Sequence, residues 1–497
     1  MILPRPPVNE RILCLSDWIS KKGTELVLGT IIDGISRNAE RVADDISERL
    51  FEPVIRLGVT GLSRSGKTVF ITSLVANLLD TGRMPQLTAA LQGRIVSVFL
   101  QPQPDDTVPR FDYETYLAAM TGTKPFWPQS TRSVSQLRLS FRVQPTGIVS
   151  GLRGPRTMHL DIVDYPGEWL LDLPLMDLSF AAWSAQALEL AKGRKTYAKG
   201  FLKRLSDVDT AARLDEPLAQ KLAQSFTGYL ASSRDAGYSA CAPGRFLMPG
   251  DLEGSPALTF CPLPEGVAVR GSLYREFARR YEAYKFKVIK PFFHDHFARI
   301  DRQIVLVDAL GAVHHGPQAV ADLRLAMVDV LKAFRPGRNS WLGAILGKRR
   351  VEKILFAATK ADHLHHSQHL KLSGLMQALL RDAKDRAEFS GAQTGSVALA
   401  SLRTTVEETF DHEGQALDCV RGTLLDTGKE VAMYAGELPE DPAKILNAAR
   451  NGDEKWLGAD YAVMNFAPAK VVLKQGMGPP HIRLDKAAAF LLGDKLS

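Results

Sequence analysis

The chain has 497 residues, 45% apolar and 24% charged, enough to bury the cores of two or three domains and to exclude wholesale disorder. Its four cysteines, Cys14, Cys241, Cys261 and Cys419, lack CxxC spacing, which excludes a disulfide framework and a cysteine-based zinc site. A formal net charge of +7 permits contact with an anionic membrane surface, while no apolar run approaches the ~20 residues of a spanning helix. No secretory leader pattern opens the sequence, so a reduced, cytoplasmic setting is expected, with peripheral contact at the inner membrane as the alternative. No nucleic-acid partner is expected.

Residues 1–52 carry Leu13, Leu15, Trp18 and Ile19, then Leu26, Ile31, Ile35 and Val42, and read as a helical arm. Val54 to Thr60 is a short β-branched run of strand type. Val69 to Leu79 sets Phe70, Ile71, Leu74, Val75 and Leu78 at helical spacing. Between them stands Gly61-Leu-Ser-Arg-Ser-Gly66-Lys67-Thr68, a complete GxxxxGK[ST] loop in the strand–loop–helix setting its chemistry needs. Residues 80–131 read as a long polar, proline-rich connection. Gln136 to Val143 alternates like a half-buried strand, and Thr157 to Val163 reads as another, ending in Asp164-Tyr-Pro-Gly167-Glu168.

From 170 to about 299 the pattern is helical, with a Gly/Pro-rich, irregular middle. Strand character returns at Gln303–Val307 and Ile354–Ala358, with a helix between. Ser396–Leu399 is the last strand, with a helix expected beyond it. Alternating strands and helices predict an α/β fold whose sheet is mostly parallel and covered on both faces.

The loop glycines let backbone N–H groups curl around a phosphate at the positive end of a helix, a cradle assigned to Gly61, Ser63, Arg64, Ser65, Gly66, Lys67, Thr68 and Val69. Lys67 then reaches the β- and γ-phosphates, and the Thr68 hydroxyl ligates Mg²⁺. Asp164 is the acid that holds Mg²⁺ through water, and Gly167 the amide that meets the γ-phosphate. A second DxxG, Asp308-Ala-Leu-Gly311, is set aside because it follows the helical stretch and reads as the end of a core strand. Thr359-Lys360-Ala361-Asp362 resembles the guanine-specifying NKxD, with Thr in place of Asn. The Asp362 carboxylate can accept from both N1–H and the exocyclic amine of guanine, a pair adenine does not offer, while the Lys360 stem lies along the base. His363 is a candidate for base or ribose contact, and Ser401 and Leu402 for an amide on the guanine O6. Thr131 is the candidate mobile Mg²⁺ ligand, with Ser130 and Thr115 as competitors. Arg64 or Arg132 would supply cationic stabilisation. Glu168 follows the DxxG glycine, where a water-orienting group belongs; beside an anionic γ-phosphate its ionisation is disfavoured, which implies slow hydrolysis.

These segments resemble the translation-factor class of GTPases with a large insertion. At finer grain, GLSRSGKT at 61, DYPGEWLLDLPL at 164, FARIDRQIVLVD at 297, GRNSWL at 337, ATKADHLHH at 358 and PHIRLDKAAAFLLGDKL near the C-terminus resemble the bacterial YcjX-like family of GTP-binding proteins. The resemblance spans essentially the whole chain. It implies a P-loop NTPase fold with a Ras-like, mostly parallel sheet and a large helical insertion, GTP/GDP and Mg²⁺ as ligands, and a link to bacterial stress responses. The expected division is a helical arm at 1–52, a nucleotide domain at 53–169 and 300–425, a helical insertion at 170–299, and a C-terminal segment at 426–497 that packs on the core. A nucleotide-gated scaffold, a dynamin-like membrane GTPase and an ATPase are the competing functions, and the protein partner is unknown.

Two further runs carry alternatives. His363, His365, His366 and His369 read as a solvated first helical turn, because no acidic residue nearby in sequence completes a metal set. Residues 335–350 place Trp341 and Leu342 between basic clusters and read as a solvated connection, with a membrane or partner contact as the sharper alternative.

Overall fold

The computed structural model describes residues 52–62, 64–129, 133–146, 154–333, 351–381, 392–451 and 463–496. Strand β1 (Val54–Gly61) feeds helix α1 (Lys67–Leu79), followed by β2 (Ile95–Gln101), α2 (Tyr113–Thr121), β3 (Ser135–Val143) and β4 (Arg156–Asp164). A helical stretch follows: α3 (Phe180–Gly193), α4 (Lys195–Ser206), α5 (Glu216–Asp235), α6 (Leu273–Tyr284) and α7 (Lys290–Asp295). Then come β5 (Arg302–Val307), α8 (Ala309–His315), α9 (Pro317–Ala333), β6 (Lys353–Ala358), α10 (His369–Leu379) and β7 (Gln393–Ala398). The chain continues through β8 (Val406–His412), β9 (Gln415–Thr423), β10 (Glu430–Met433), α11 (Ala443–Asn451) and α12 (Leu484–Leu492).

Seven strands form the main sheet in the order β2-β3-β4-β1-β5-β6-β7. The β4-β1-β5-β6-β7 portion is parallel, and β2 and β3 add an antiparallel margin. Parallel strands are buried on both faces, and β5 is buried along its whole length. Its Ile304 and Leu306 point into one core with Phe70, Leu74 and Leu491, while Val305 and Val307 point into the other. Helices α1 and α12 therefore cover one face. The second face lies under α9, α10 and the helical stretch, whose aromatic core, with Trp183 stacked on Tyr281 at 5.0 Å, runs unbroken into the sheet.

The parallel register brings strand ends to one edge. Val59 is level with Asp164, Gly61 with Leu306, and Ala358 with both Val307 and Ala398. Loops leaving β1, β4, β5, β6 and β7 thus start side by side, the crevice where open α/β sheets hold ligands.

Two expectations are corrected. The 80–131 connection contains β2 and α2; Ile95-Val-Ser-Val-Phe-Leu is a short β-branched run, and its pairing with β3 gives it strand structure although Val96 and Phe99 stay exposed. Beyond β7 there is no immediate helix but a three-stranded antiparallel sheet, β10-β9-β8. Its β8–β9 hairpin turns on Glu413-Gly414, both at positive φ (53° and 80°), the conformation of a two-residue primed turn. No described helix is long and apolar enough to cross a membrane.

Helix α12 closes the first core, and its end is tied to the sheet by Asp494, which accepts from Arg302 and Lys353, both at 2.8 Å. Leu491 is fully buried there. Leu491→Ala is expected to lower the unfolding free energy by about 2–5 kcal/mol in urea denaturation. A loss under about 0.5 kcal/mol, as for a surface substitution, would contradict the placement of α12.

Candidate functional site

The loop after β1 is built around two close approaches. A Cβ on Gly61 would lie 2.1 Å from Ser65 Oγ, and one on Gly167 would lie 2.3 Å from the Gly61 carbonyl oxygen. Only glycine fits either position. Arg64 and Gly66 sit at positive φ (65° and 77°), which folds the loop back so that Lys67 opens α1. Gly66 caps that helix without a side-chain acceptor, so its first amides face the crevice. Ser65 Oγ is buried without a hydrogen-bond partner among the described residues. Such a site is ready for an anion.

Lys67 Nζ makes an ion pair with Asp164 at the end of β4. Both side chains are nearly buried, 11% and 1% exposed, so each charge compensates the other out of water. Thr68 and Val69 line the same crevice, a cavity of about 630 Å³, within the range of ligand sites. Glu168 also lines it and is buried. Burial raises its carboxyl pKa, against a backbone hydrogen bond and the charges of Lys67 and Arg234. Arg64 stays exposed at the mouth, where it pairs with Asp235 at the end of α5, 3.5 Å away.

The same cavity is lined by Thr359, Lys360, Asp362 and His363 after β6, and by Ser401 and Leu402 after β7. Lys360 holds a left-handed conformation (φ 59°) and reaches the Asp308 carboxylate. Burial alone would raise Asp308, but Lys360 and the Gly311 N–H outweigh it and hold the carboxyl below its usual range. Asp362 is 2% exposed, and its Oδ2 accepts from the Thr404 N–H at 2.8 Å and the Thr404 hydroxyl at 2.6 Å. Its carboxylate is thereby fixed in direction. The His363 ring stands edge-on to Phe466 at 5.2 Å, its Nδ1 without a hydrogen-bond partner among the described residues. Phe466 O accepts from Trp127 Nε1 at 2.8 Å, which joins the segment before β3 to the C-terminal wall of the cavity.

The structure thus brings Gly61, Arg64, Ser65, Gly66, Lys67, Thr68, Val69, Glu168, Thr359, Lys360, Asp362, His363, Ser401 and Leu402 to one cavity. Asp164 and Gly167 touch its loop from behind. Ser63, Ser130, Thr131 and Arg132 lie outside the described residues, as do residues 1–51 and the Trp341 run. Thr115 is exposed in the first turn of α2. Sequence reasoning missed Thr404, Trp127 and Phe466, and it set aside Asp308, which lines the cavity through its contact with Lys360. The histidine run is also corrected. His369 is buried in α10, bonded through Nε2 to Ala361 O at 2.8 Å and through Nδ1 to Arg483 at 3.0 Å, so it braces the Asp362 loop from within.

The segment after Asp164 is gripped by the helical stretch. Tyr165 OH donates to Gln303 Oε1 of β5 at 2.9 Å, and from the helical stretch Met248 O accepts from Trp169 Nε1 at 3.0 Å. The Arg245 guanidinium lies over the Trp169 ring, 3.1 Å from its centroid. Asp172 accepts from the Gly244 N–H and the Tyr284 hydroxyl, each at 2.6 Å. Gly244 packs so closely that a Cβ there would meet the Glu168 carbonyl oxygen at 1.9 Å. A displacement of Gly167 and Glu168 must move these helical contacts too.

The sequence profile of the YcjX-like family, DUF463, matches residues 55–496. A protein of Escherichia coli named Ras-like GTPase YcjX is 37% identical over 459 residues, 89% of this chain and 96% of its own length. A Shewanella oneidensis protein of the same name is 33% identical over 469 residues, 89% of this chain and 94% of its own.

Asp172 gives the grip on Glu168 a pH signature. Burial raises its carboxyl to about 6, against the hydrogen bonds from Tyr284 and Gly244. The folded state then holds a proton that the unfolded state releases near its ordinary value of about 4. That contribution to stability is complete below about 4 and is lost as the pH rises through the folded value. Asp172→Asn, which keeps an acceptor for Gly244, lacks this titration. Its thermal midpoint relative to the wild type is expected to rise as the pH goes from about 4.5 to about 7. A constant difference across that range would contradict the buried, proton-binding Asp172.

Proposed function

The chain belongs to the YcjX-like family, DUF463; on that premise we propose that it binds GTP and GDP in the 630 Å³ cavity and hydrolyses GTP slowly in the presence of Mg²⁺. The observation that carries this reading is that the glycine loop and Asp362, from different strands, line one cavity. In this reading the amides of Gly61 to Val69 hold the polyphosphate, Lys67 leaves Asp164 for the β- and γ-phosphates, and the Gly167 N–H meets the γ-phosphate. The fixed Asp362 carboxylate accepts from N1–H and the exocyclic amine of guanine. Ser401 and Leu402 border O6, and His363 borders the ribose. The Thr68 hydroxyl and the Asp164 carboxylate are hard oxygen donors suited to Mg²⁺, with Thr131 as the third candidate ligand. Mg²⁺ supplies charge neutralisation on the β- and γ-phosphate oxygens.

Hydrolysis adds water to the γ-phosphorus and expels GDP through the bridging oxygen. Glu168 is the residue assigned to orient that water, with Arg64 or Arg132 stabilising charge. Burial raises the Glu168 carboxyl pKa, and an anionic γ-phosphate beside it would disfavour its ionisation further, which is the ground for expecting a low intrinsic rate. A scaffold that binds GTP without turnover draws on the same residue; single-turnover hydrolysis separates the two.

Residues 53–169 and 300–425 act as the nucleotide domain, 170–299 as the helical insertion, and 426–497 as a C-terminal segment closing the site. The contacts of Gly244, Met248 and Tyr284 with the 167–172 segment support a switch in which loss of the γ-phosphate is relayed to the insertion and read there by a protein partner. A role in bacterial stress response is carried by the family resemblance, and a cytoplasmic setting by the cysteine pattern.

Two variants test this reading. Lys67→Ala is expected to weaken GTP binding by about 10–100-fold in calorimetry, the loss of a charge-assisted contact; unchanged affinity would refute the phosphate assignment. Asp362→Asn presents a donor where guanine offers its amine but xanthine offers a carbonyl. The ratio of GTP to XTP affinity is expected to fall by at least about tenfold. An unaltered ratio would remove Asp362 from base recognition.

A further inference from the structure

We propose that His365, His366 and Glu407 form a binding site for a divalent transition-metal ion of the zinc type, with Asp418 orienting His365. None of the four lines the nucleotide cavity, so the site stands apart from it. In the β8–β9 ladder Glu407 faces Val420 and Thr409 faces Asp418, which sets Glu407 and Asp418 on one face as diagonal neighbours. The loop that follows Asp362 lays His365 and His366 against that face. His366 Nδ1 lies 2.9 Å from Glu407 Oε2, and His365 Nε2 lies 4.0 Å from the same oxygen. One ligand atom from each of the three residues falls within 4.8 Å of the others. Tetrahedral zinc, with bonds of about 2.0–2.1 Å to nitrogen and oxygen, sets its donors roughly 3.4 Å apart, so modest rotamer shifts close the set.

The remaining partners select the same chemistry. His365 Nδ1 lies 2.9 Å from Ser367 Oγ and 3.1 Å from Asp418 Oδ2, with the Ser367 N–H at 3.5 Å; in the tautomer that donates from Nδ1 to these oxygens, the Nε2 lone pair is turned to the ion. Arg403 approaches Glu407 Oε1 at 3.6 Å and leaves Oε2 for the ion. The two imidazole rings stand only 4.2 Å apart between centroids; two imidazolium charges there would repel, whereas one divalent cation satisfies both rings and the carboxylate together. His366 is 66% exposed, which gives the ion an entry path. Cys419 points to the opposite face of β9 and is buried, so the donor set is nitrogen and oxygen. The sequence reading, a solvated turn with no acidic partner, fails here because Glu407 comes from 41 residues beyond His366, on a strand the sequence reading did not anticipate. An ion at this point would pin the loop after Asp362 to the three-stranded sheet.

The test uses the full chain, stripped with a chelator, as wild type, His366→Ala, Glu407→Gln and Asp418→Asn. Zn²⁺ is titrated by calorimetry, and Co²⁺ by visible absorption. The wild type is expected to take up one equivalent of Zn²⁺ and to show tetrahedral Co²⁺ ligand-field bands without a thiolate charge-transfer band. His366→Ala and Glu407→Gln are expected to lose that equivalent while keeping the metal-free thermal midpoint. Asp418→Asn is expected to weaken binding by about 10–100-fold, as for an orienting carboxylate. Absence of stoichiometric uptake, uptake unaffected by both ligand variants, or a thiolate band would each overturn the proposal.

Discussion

Everything at the strand-end crevice follows from the contact of two bare backbones. Gly61 ends β1 and Gly167 follows β4; a Cβ on Gly167 would strike the Gly61 carbonyl, and one on Gly61 would strike Ser65 Oγ, so neither position admits a side chain. Because β1 and β4 are adjacent and parallel, this contact sets the start of α1 beside the Asp164 carboxylate. Lys67 therefore meets a buried acid, and the first amides of α1 open onto the same space. Any anion that draws Lys67 away must leave Asp164 compensated by something else, and that requirement is what a hard cation beside a polyphosphate satisfies.

The same contact reaches outward. Gly167 cannot shift without Glu168, whose carbonyl abuts Gly244, and Trp169 and Asp172 are bonded to Met248, Gly244 and Tyr284. Packed groups of this kind have few intermediate arrangements, so a displacement at the loop is carried rather than absorbed. The helical stretch shares one apolar core with the sheet, which gives that displacement a continuous route. Around Asp362 the carboxylate is braced by Thr404 and the loop beneath it by His369, so this part of the cavity is held from within, where the glycine loop is coupled outward.

Much of this was legible in the sequence, because the informative features are local. A β-branched run, a glycine loop and a helical period sit within 26 residues of one another from Val54 to Leu79, and each constrains the next. The parallel strands were readable for the same reason: fully buried strands are continuous apolar runs. What stayed hidden depends on distant partners. Strand β2 lies among prolines and polar residues and exists through its pairing with β3. Strands β8 and β9 carry charged side chains on both faces, so their period is weak, and β10 is only four residues long. Thr404, Trp127 and Phe466 acquire their roles by folding onto Asp362 and His363 from remote segments, and nothing in their own neighbourhoods announces it. Asp308 was visible as the end of a core strand, and it does directly follow β5, but its contact with Lys360 comes from a residue 52 positions on.

The central claim is that this cavity takes a guanine nucleotide, and titration of the purified full chain with GTP, GDP and ATP in the presence of Mg²⁺ addresses it most directly. One GTP or GDP per chain is expected, with ATP at least about 100-fold weaker, because an adenine leaves the buried Asp362 carboxylate facing no donor pair. Equal or tighter binding of ATP, or no binding of either guanine nucleotide by folded protein, would contradict it.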